Sequence, residues 1–126
     1  MFEDVRDILK GIRPIGVGRS SQWSEIRNKH LARYSCCEVC GLKKKLRVHH
    51  IKPFHLFPEL ELEESNLITL CESWKMGLNC HLLVGHLGNY RNINPDCVSD
   101  AKHWSEKLAK KEFRKELEYQ MYFKGN

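Results

Sequence analysis

Two adjacent histidines, His49 and His50, are joined farther along by His81 and His86, and six cysteines lie among and around them: Cys36, Cys37, Cys40, Cys71, Cys80 and Cys97. Imidazole and thiolate are the ligands that zinc and its neighbours in the first transition row prefer. Cys37 and Cys40 are separated by two residues and followed by Gly41, so a single turn can aim both sulfurs at one ion. Thirty residues later come Cys71 and Cys80, separated by eight residues that must loop out for the pair to close. Together these four make a tetrahedral structural Zn²⁺ site the expected arrangement. Cys36 competes with Cys37, but a three-residue gap to Cys40 suits a knuckle less well, and Cys97 fits no arrangement. The opening residues carry acids and no apolar run, so no secretory signal is read, metal ligation is favoured over disulfides, and the expected compartment is the cytoplasm.

The histidines call for a second, different site. If His49 and His50 lie on a strand they point to opposite faces. One can then hold a metal while the other works on substrate. His49 needs further ligands. His81 directly follows a zinc cysteine, and His86 lies five residues beyond it, about one helical turn.

These side chains must be placed by local structure. Leu46 to Ile51 alternates apolar and polar and reads as a strand, and Asn66 to Cys71 reads as a second. The stretch from residue 52 to 65 holds two prolines and four glutamates (Glu59, Glu61, Glu63, Glu64) and reads as a solvated loop. Residues 80–89 read as a short helix carrying His81. Upstream, Arg19 to Ser24 is a polar helix start, and Ile26, His30, Leu31 and Tyr34 continue its stripe. One helix is expected over 99–123, its apolar side marked by Trp104, Leu108, Leu117 and Met121 with Phe113 beside it. A short helix over 2–10 and a linker through Gly18 precede all of this.

The composition sets bounds. The chain has 126 residues, 29% of them charged, with a net charge of +5. It is long enough for one small domain, without a transmembrane run. Charge is uneven: +6 over residues 1–50, −4 over 51–100 and +3 over 101–126. Basic ends around an acidic middle favour a polyanionic partner.

The segments Cys37-Glu38-Val39-Cys40-Gly41, Val48-His49-His50-Ile51-Lys52-Pro53-Phe54, Asn66-Leu67-Ile68-Thr69-Leu70-Cys71, Asn79-Cys80-His81 and Gly85-His86-Leu87-Gly88-Asn89 together resemble the HNH endonuclease family. The likeness is greatest to small bacteriophage and bacterial members with a four-cysteine zinc site, and it covers roughly residues 19–101. It implies an α+β fold: a small zinc-stabilised ββα-metal domain, of the kind also called a His-Me finger, with flanking helices. The chain then divides into an N-terminal helix and linker (1–18), the nuclease domain (19–101) and an amphipathic C-terminal helix packed on it (102–126).

On this resemblance His49 and His81 are ligands of a catalytic divalent ion, His50 is the general base, and Asn66 orients His50 or holds its loop. His86 is the third ligand, but family members often have four residues where this chain has five, so Asn89 or water is the alternative. Two metals follow: a structural Zn²⁺, and a catalytic ion that could be Mn²⁺, Mg²⁺, Ni²⁺, Co²⁺ or Zn²⁺. The implied partner is DNA, contacted by Arg19, Ser20, Lys43, Lys44, Lys45, Arg47 and Lys52; phage packaging proteins are a further partner the resemblance raises. The competing class is a non-catalytic zinc module that binds nucleic acid or protein. Such a module has no need of His49, His50, Asn66 and His81 in this arrangement.

Overall fold

The computed structural model describes residues 19–124. The helix and linker expected over 2–18 lie outside the described residues. Helix α1 (Trp23–Arg33) leads into a turn at Cys37–Cys40 and then strand β1 (Leu46–His50). A loop with two short 3₁₀ turns, Pro58–Leu60 and Glu64–Asn66, returns the chain to strand β2 (Leu67–Cys71). One π-helical turn (His81–Gly85) follows, then α2 (Cys97–Leu108) and α3 (Lys111–Lys124). Among the described residues no helix is long and apolar enough to cross a membrane.

β1 and β2 pair antiparallel, with Leu46 opposite Cys71 and His50 opposite Leu67. All five β2 residues are buried. A two-stranded sheet is marginal alone and needs cover on both faces. Alternation along the strands assigns that cover. Thr69 sends its hydroxyl to the Tyr34 carbonyl at the end of α1, at 2.9 Å. Leu70, on the opposite face, packs under the π turn near Gly85.

The expected 80–89 helix shrinks to a single turn, and the expected 99–123 helix is two helices broken at Ala109–Lys110. The second break has a geometric cause. Leu108 and Leu117 are nine residues apart, and at about 100° per residue they lie half a turn out of phase on a straight helix. Leu108 is buried in the core, and Leu117 packs against that same core. Only a chain that breaks between them can turn both inward. Trp104 stays 39% exposed, with the Lys107 ammonium over its ring; the side chains of Phe113 and Met121 lie outside the described residues.

Candidate metal centres and catalytic cleft

The four cysteines Cys37, Cys40, Cys71 and Cys80 bring their sulfurs within 4.8 Å of one another. The Cys40 and Cys71 sulfurs are 3.7 Å apart. Two thiolates at 2.3 Å from one ion in a tetrahedron stand about 3.8 Å apart, so the cluster has the dimensions of a zinc site. The backbone is shaped for it. Gly41 closes the first knuckle in a left-handed conformation at φ 78°, its N–H donating to the Cys37 carbonyl at 3.0 Å. The Cys80 N–H points at the Cys71 sulfur at 3.4 Å. A Cβ on Gly77 would meet Leu42 at 2.9 Å and the Cys71 sulfur at 3.1 Å, so glycine admits the wide loop. The sulfurs perturb one another strongly. Cys37 pushes the Cys40 thiol down to about 6, and Cys71 is also drawn down by its three neighbours. Cys36 stays outside the cluster, half-buried, and Cys97 is buried elsewhere, its pKa raised to about 11 by burial and by Asp100.

On the other face of the hairpin, His49, His81 and His86 converge, each offering a ring nitrogen within 4.8 Å of the others. Hydrogen bonds fix two of the three tautomers. His81 Nδ1–H donates to the Glu72 carboxylate at 2.7 Å, and His86 Nδ1–H donates to the Asn92 carbonyl at 2.9 Å. Each is left with a bare Nε2 lone pair, and those two nitrogens face each other at 3.3 Å. Lone pairs repel unless a cation lies between them. Two imidazoles bound at 2.0–2.1 Å in a tetrahedron stand about 3.3 Å apart, so this trio fits a divalent ion as well. His49 is 8% exposed. Burial first, then its histidine neighbours, lowers its pKa to about 3, which keeps it a neutral ligand at neutral pH.

The π turn resolves the spacing that sequence left open. Its hydrogen bonds run from i to i+5, so residues five apart come into register where an α-helix would serve four. His86 therefore joins His81 in the cluster, while Asn89 hydrogen-bonds back within its own turn and to Arg91. Asn94 pins the turn: its amide donates to the Val84 carbonyl at 2.8 Å and to Asp100 at the start of α2 at 2.9 Å.

Gly85 lies beneath the cluster. A Cβ there would stand 3.3 Å from each of His49 Cε1, His81 Cδ2 and Leu70 Cδ1. Its φ is not in the left-handed range, so alanine is compatible with the backbone and gains up to about 1 kcal/mol in helix propensity. Gly85→Ala is expected to weaken Ni²⁺ affinity severalfold, because the His49 and His81 rings must give way to the added methyl, read by calorimetric titration against wild type.

His50 faces the other way, 4.5 Å ring to ring from Trp23 of α1. Its Nε2 lies 3.0 Å from the Glu61 carbonyl. A carbonyl only accepts, so Nε2 carries the proton and Nδ1 keeps the lone pair. Burial, reinforced by Arg19 and opposed by Glu61, lowers the His50 pKa below the ordinary imidazole value. His49, His50 and His86 all line one small open cleft with Tyr90 and Arg91 on its rim.

Asn66 does not touch His50. Its Oδ1 accepts the Lys52 N–H at 2.8 Å, and its amide donates to the Lys52 and Leu60 carbonyls. Of the two roles its position implied, it makes the contacts of the loop-holding one, and the loop it closes contains Glu61. The acidic loop is not wholly solvated either. Glu61 is 4% exposed. Its carboxylate accepts the Ser20 N–H at 3.0 Å and pairs with Arg19 at 3.8 Å. The Arg19 guanidinium packs against the rings of Trp23, at 5.2 Å, and Phe54, at 4.8 Å. The Ser20 hydroxyl accepts the Gln22 N–H. Lys43, Lys44 and Lys45 are exposed at the far end of β1 from His50, and Lys52 reaches over the Phe57 ring. Arg47 pairs with Glu72 at 3.6 Å. Sequence reasoning named neither Glu72 nor the Glu61 main chain, because nothing local marks a carboxylate or carbonyl that acts through a distant partner.

A two-stranded antiparallel hairpin followed by a short helical turn, gripping a metal-binding cluster beside a four-cysteine knuckle, defines a small α+β domain of the ββα-metal class. A family model described as HNH endonuclease matches residues 37–86, which span both cysteine pairs and end on His86. That segment is similar to the HNH endonuclease family. No curated protein and no solved structure matches the chain.

Proposed function

We propose that this protein is a metal-dependent endonuclease that hydrolyses DNA phosphodiester bonds, with His50 as the general base. The observation that carries the reading is the shared cleft. It joins His49 and His86, two members of the three-histidine cluster, to a fourth histidine whose tautomer leaves Nδ1 bare for proton abstraction. A binding module gains nothing from that division of labour.

His49, His81 and His86 would hold the catalytic ion. When bound, the ion supplies Lewis-acid stabilisation of charge on the phosphate and on the leaving 3′-oxygen. Three protein ligands leave coordination room for substrate, unlike the closed four-cysteine site. His50 Nδ1 takes a proton from water as the new O–P bond forms. The P–O3′ bond breaks and the departing 3′-oxygen takes a proton from solvent water, leaving 5′-phosphate and 3′-hydroxyl ends. The Glu61 carbonyl and the Trp23 ring orient the base, and Asn66 holds the loop that supplies the carbonyl. Arg19, which lies against the Trp23 and Phe54 rings, would take a backbone phosphate. Lys43, Lys44, Lys45 and Lys52 extend the basic track along the hairpin and its following loop, and such a track makes binding strongly salt-dependent.

The test is nicking of supercoiled plasmid by the zinc-loaded protein with Mn²⁺, Mg²⁺, Ni²⁺, Co²⁺ or extra Zn²⁺ added. Nicking is expected with at least one ion, to be abolished by chelation of that ion, and to be lost in His81→Ala. Absence of cutting with every ion would overturn the nuclease reading in favour of a binding module.

A further inference from the structure

The catalytic cluster leans on a carboxylate that is not itself a ligand. Glu72 Oε2 is 2.7 Å from His81 Nδ1, and the other carboxylate oxygen is 3.6 Å from Arg47 Nε. Each partner is placed by neighbouring structure. Glu72 directly follows Cys71 and His81 directly follows Cys80, so the four-cysteine site that closes the loop between those cysteines also brings the two side chains together. The Glu72 N–H donates to the Lys45 carbonyl at 2.8 Å, which extends the hairpin by one rung. Arg47 lies two residues before His49 on β1 and so shares its face. The result is an Arg47–Glu72–His81 relay along one face of the hairpin, ending at a ring nitrogen in the cluster.

We propose that Glu72, held by Arg47, is a positioning residue that fixes the ring and tautomer of His81 for metal binding, an inference that rests on the three-histidine site proposed above. A carboxylate on the Nδ1–H of a metal-binding histidine locks the ring, keeps Nε2 bare and makes it a stronger donor; losing such a partner typically weakens metal binding about 10- to 100-fold. It follows that Arg47 serves the relay and is not a phosphate contact.

The experiment uses full-length protein with its cysteine site loaded with zinc, titrated calorimetrically with Ni²⁺. Glu72→Ala is expected to weaken Ni²⁺ binding about 10- to 100-fold. Glu72→Gln should fall between the two, because its amide oxygen still accepts from Nδ1–H but without charge. Arg47→Ala should weaken Ni²⁺ binding less than Glu72→Ala and leave the salt dependence of DNA binding unchanged, whereas losing a phosphate contact lowers the salt slope by about one. All three should keep the wild-type unfolding midpoint before Ni²⁺ is added. His81→Ala separates the two readings. If it loses Ni²⁺ affinity while Glu72→Ala keeps it, the relay is wrong and the three-histidine site stands. If His81→Ala also binds as wild type does, the site itself falls and the relay with it. A lowered salt slope in Arg47→Ala with unchanged Ni²⁺ affinity would return Arg47 to the DNA surface.

Discussion

Stripping zinc from the four-cysteine site, or replacing Cys71 with serine, is expected to unfold the domain outright. The sheet has two strands, too few to stand alone. Among the described residues the buried core is small, and four of its ten buried members are cysteines: Cys37, Cys71, Cys80 and Cys97. Three of those four are cluster sulfurs, which with the half-buried Cys40 complete the site. A structural zinc contributes on the order of 10–16 kcal/mol of apparent binding energy at neutral pH. Whole domains are stable by only about 5–15 kcal/mol. The loss of the ion is therefore of the same size as the whole margin. Packing adds to the loss, because Cys71 and Cys80 are 0% and 1% exposed, and four sulfurs left face to face at contact distance without a cation repel once ionised.

Circular dichroism melts before and after chelation, with elemental analysis for zinc, check this. One zinc per chain and loss of the cooperative melt on chelation are expected, with recovery when zinc is returned. Cys36→Ser is the contrast, since Cys36 lies outside the cluster and should melt within about 0.5 kcal/mol of wild type. A chelated protein that still melts cooperatively at the same temperature would mean that the hydrophobic core suffices and the cysteines are ordinary buried thiols.

The parts of the molecule legible in the sequence are those governed by short-range rules. The Cys37–Cys40 knuckle follows from a two-residue gap and a glycine, and the strands follow from alternation, so the hairpin and the opposite facing of His49 and His50 could both be read. The five-residue step from His81 to His86 is harder. It is out of register for an α-helix and in register for a π turn, and sequence periodicity does not announce π turns. The C-terminal stripe misled for the same kind of reason. Trp104 and Leu108 are in phase, as are Leu117 and Met121, and only the half-turn offset between the pairs betrays the break at Ala109–Lys110. Glu61 and Glu72 were invisible as individuals. Glu61 looks like its exposed neighbours Glu59, Glu63 and Glu64 until the chain folds and brings Ser20 and Arg19 to it from forty residues away. Glu72 gains its partner only when the four-cysteine cluster closes the loop that separates it from His81.

The His50→Ala variant separates the two histidines that stand together in the chain. General-base catalysis contributes about 10²–10⁴-fold in rate, so the turnover of the metal-loaded enzyme is expected to fall by that factor. Ni²⁺ or Mn²⁺ affinity should stay at the wild-type value, because the metal trio lies across the hairpin and His50 points away from it. DNA affinity should change little, since the ring lost is small and neutral at neutral pH. His49→Ala should do the reverse at the first step, losing metal affinity and losing cutting as a consequence. Removing the His50 ring leaves space between Trp23 and the Glu61 carbonyl. Imidazole added to His50→Ala should therefore restore part of the cutting, by donating to that carbonyl with one nitrogen and taking the proton with the other. Single-turnover cleavage of a labelled duplex, with metal and DNA both saturating, measures the chemical step without the binding steps. A His50→Ala rate within about tenfold of wild type would remove His50 as the base, and a loss of metal affinity in the same variant would place its ring on the metal side of the hairpin.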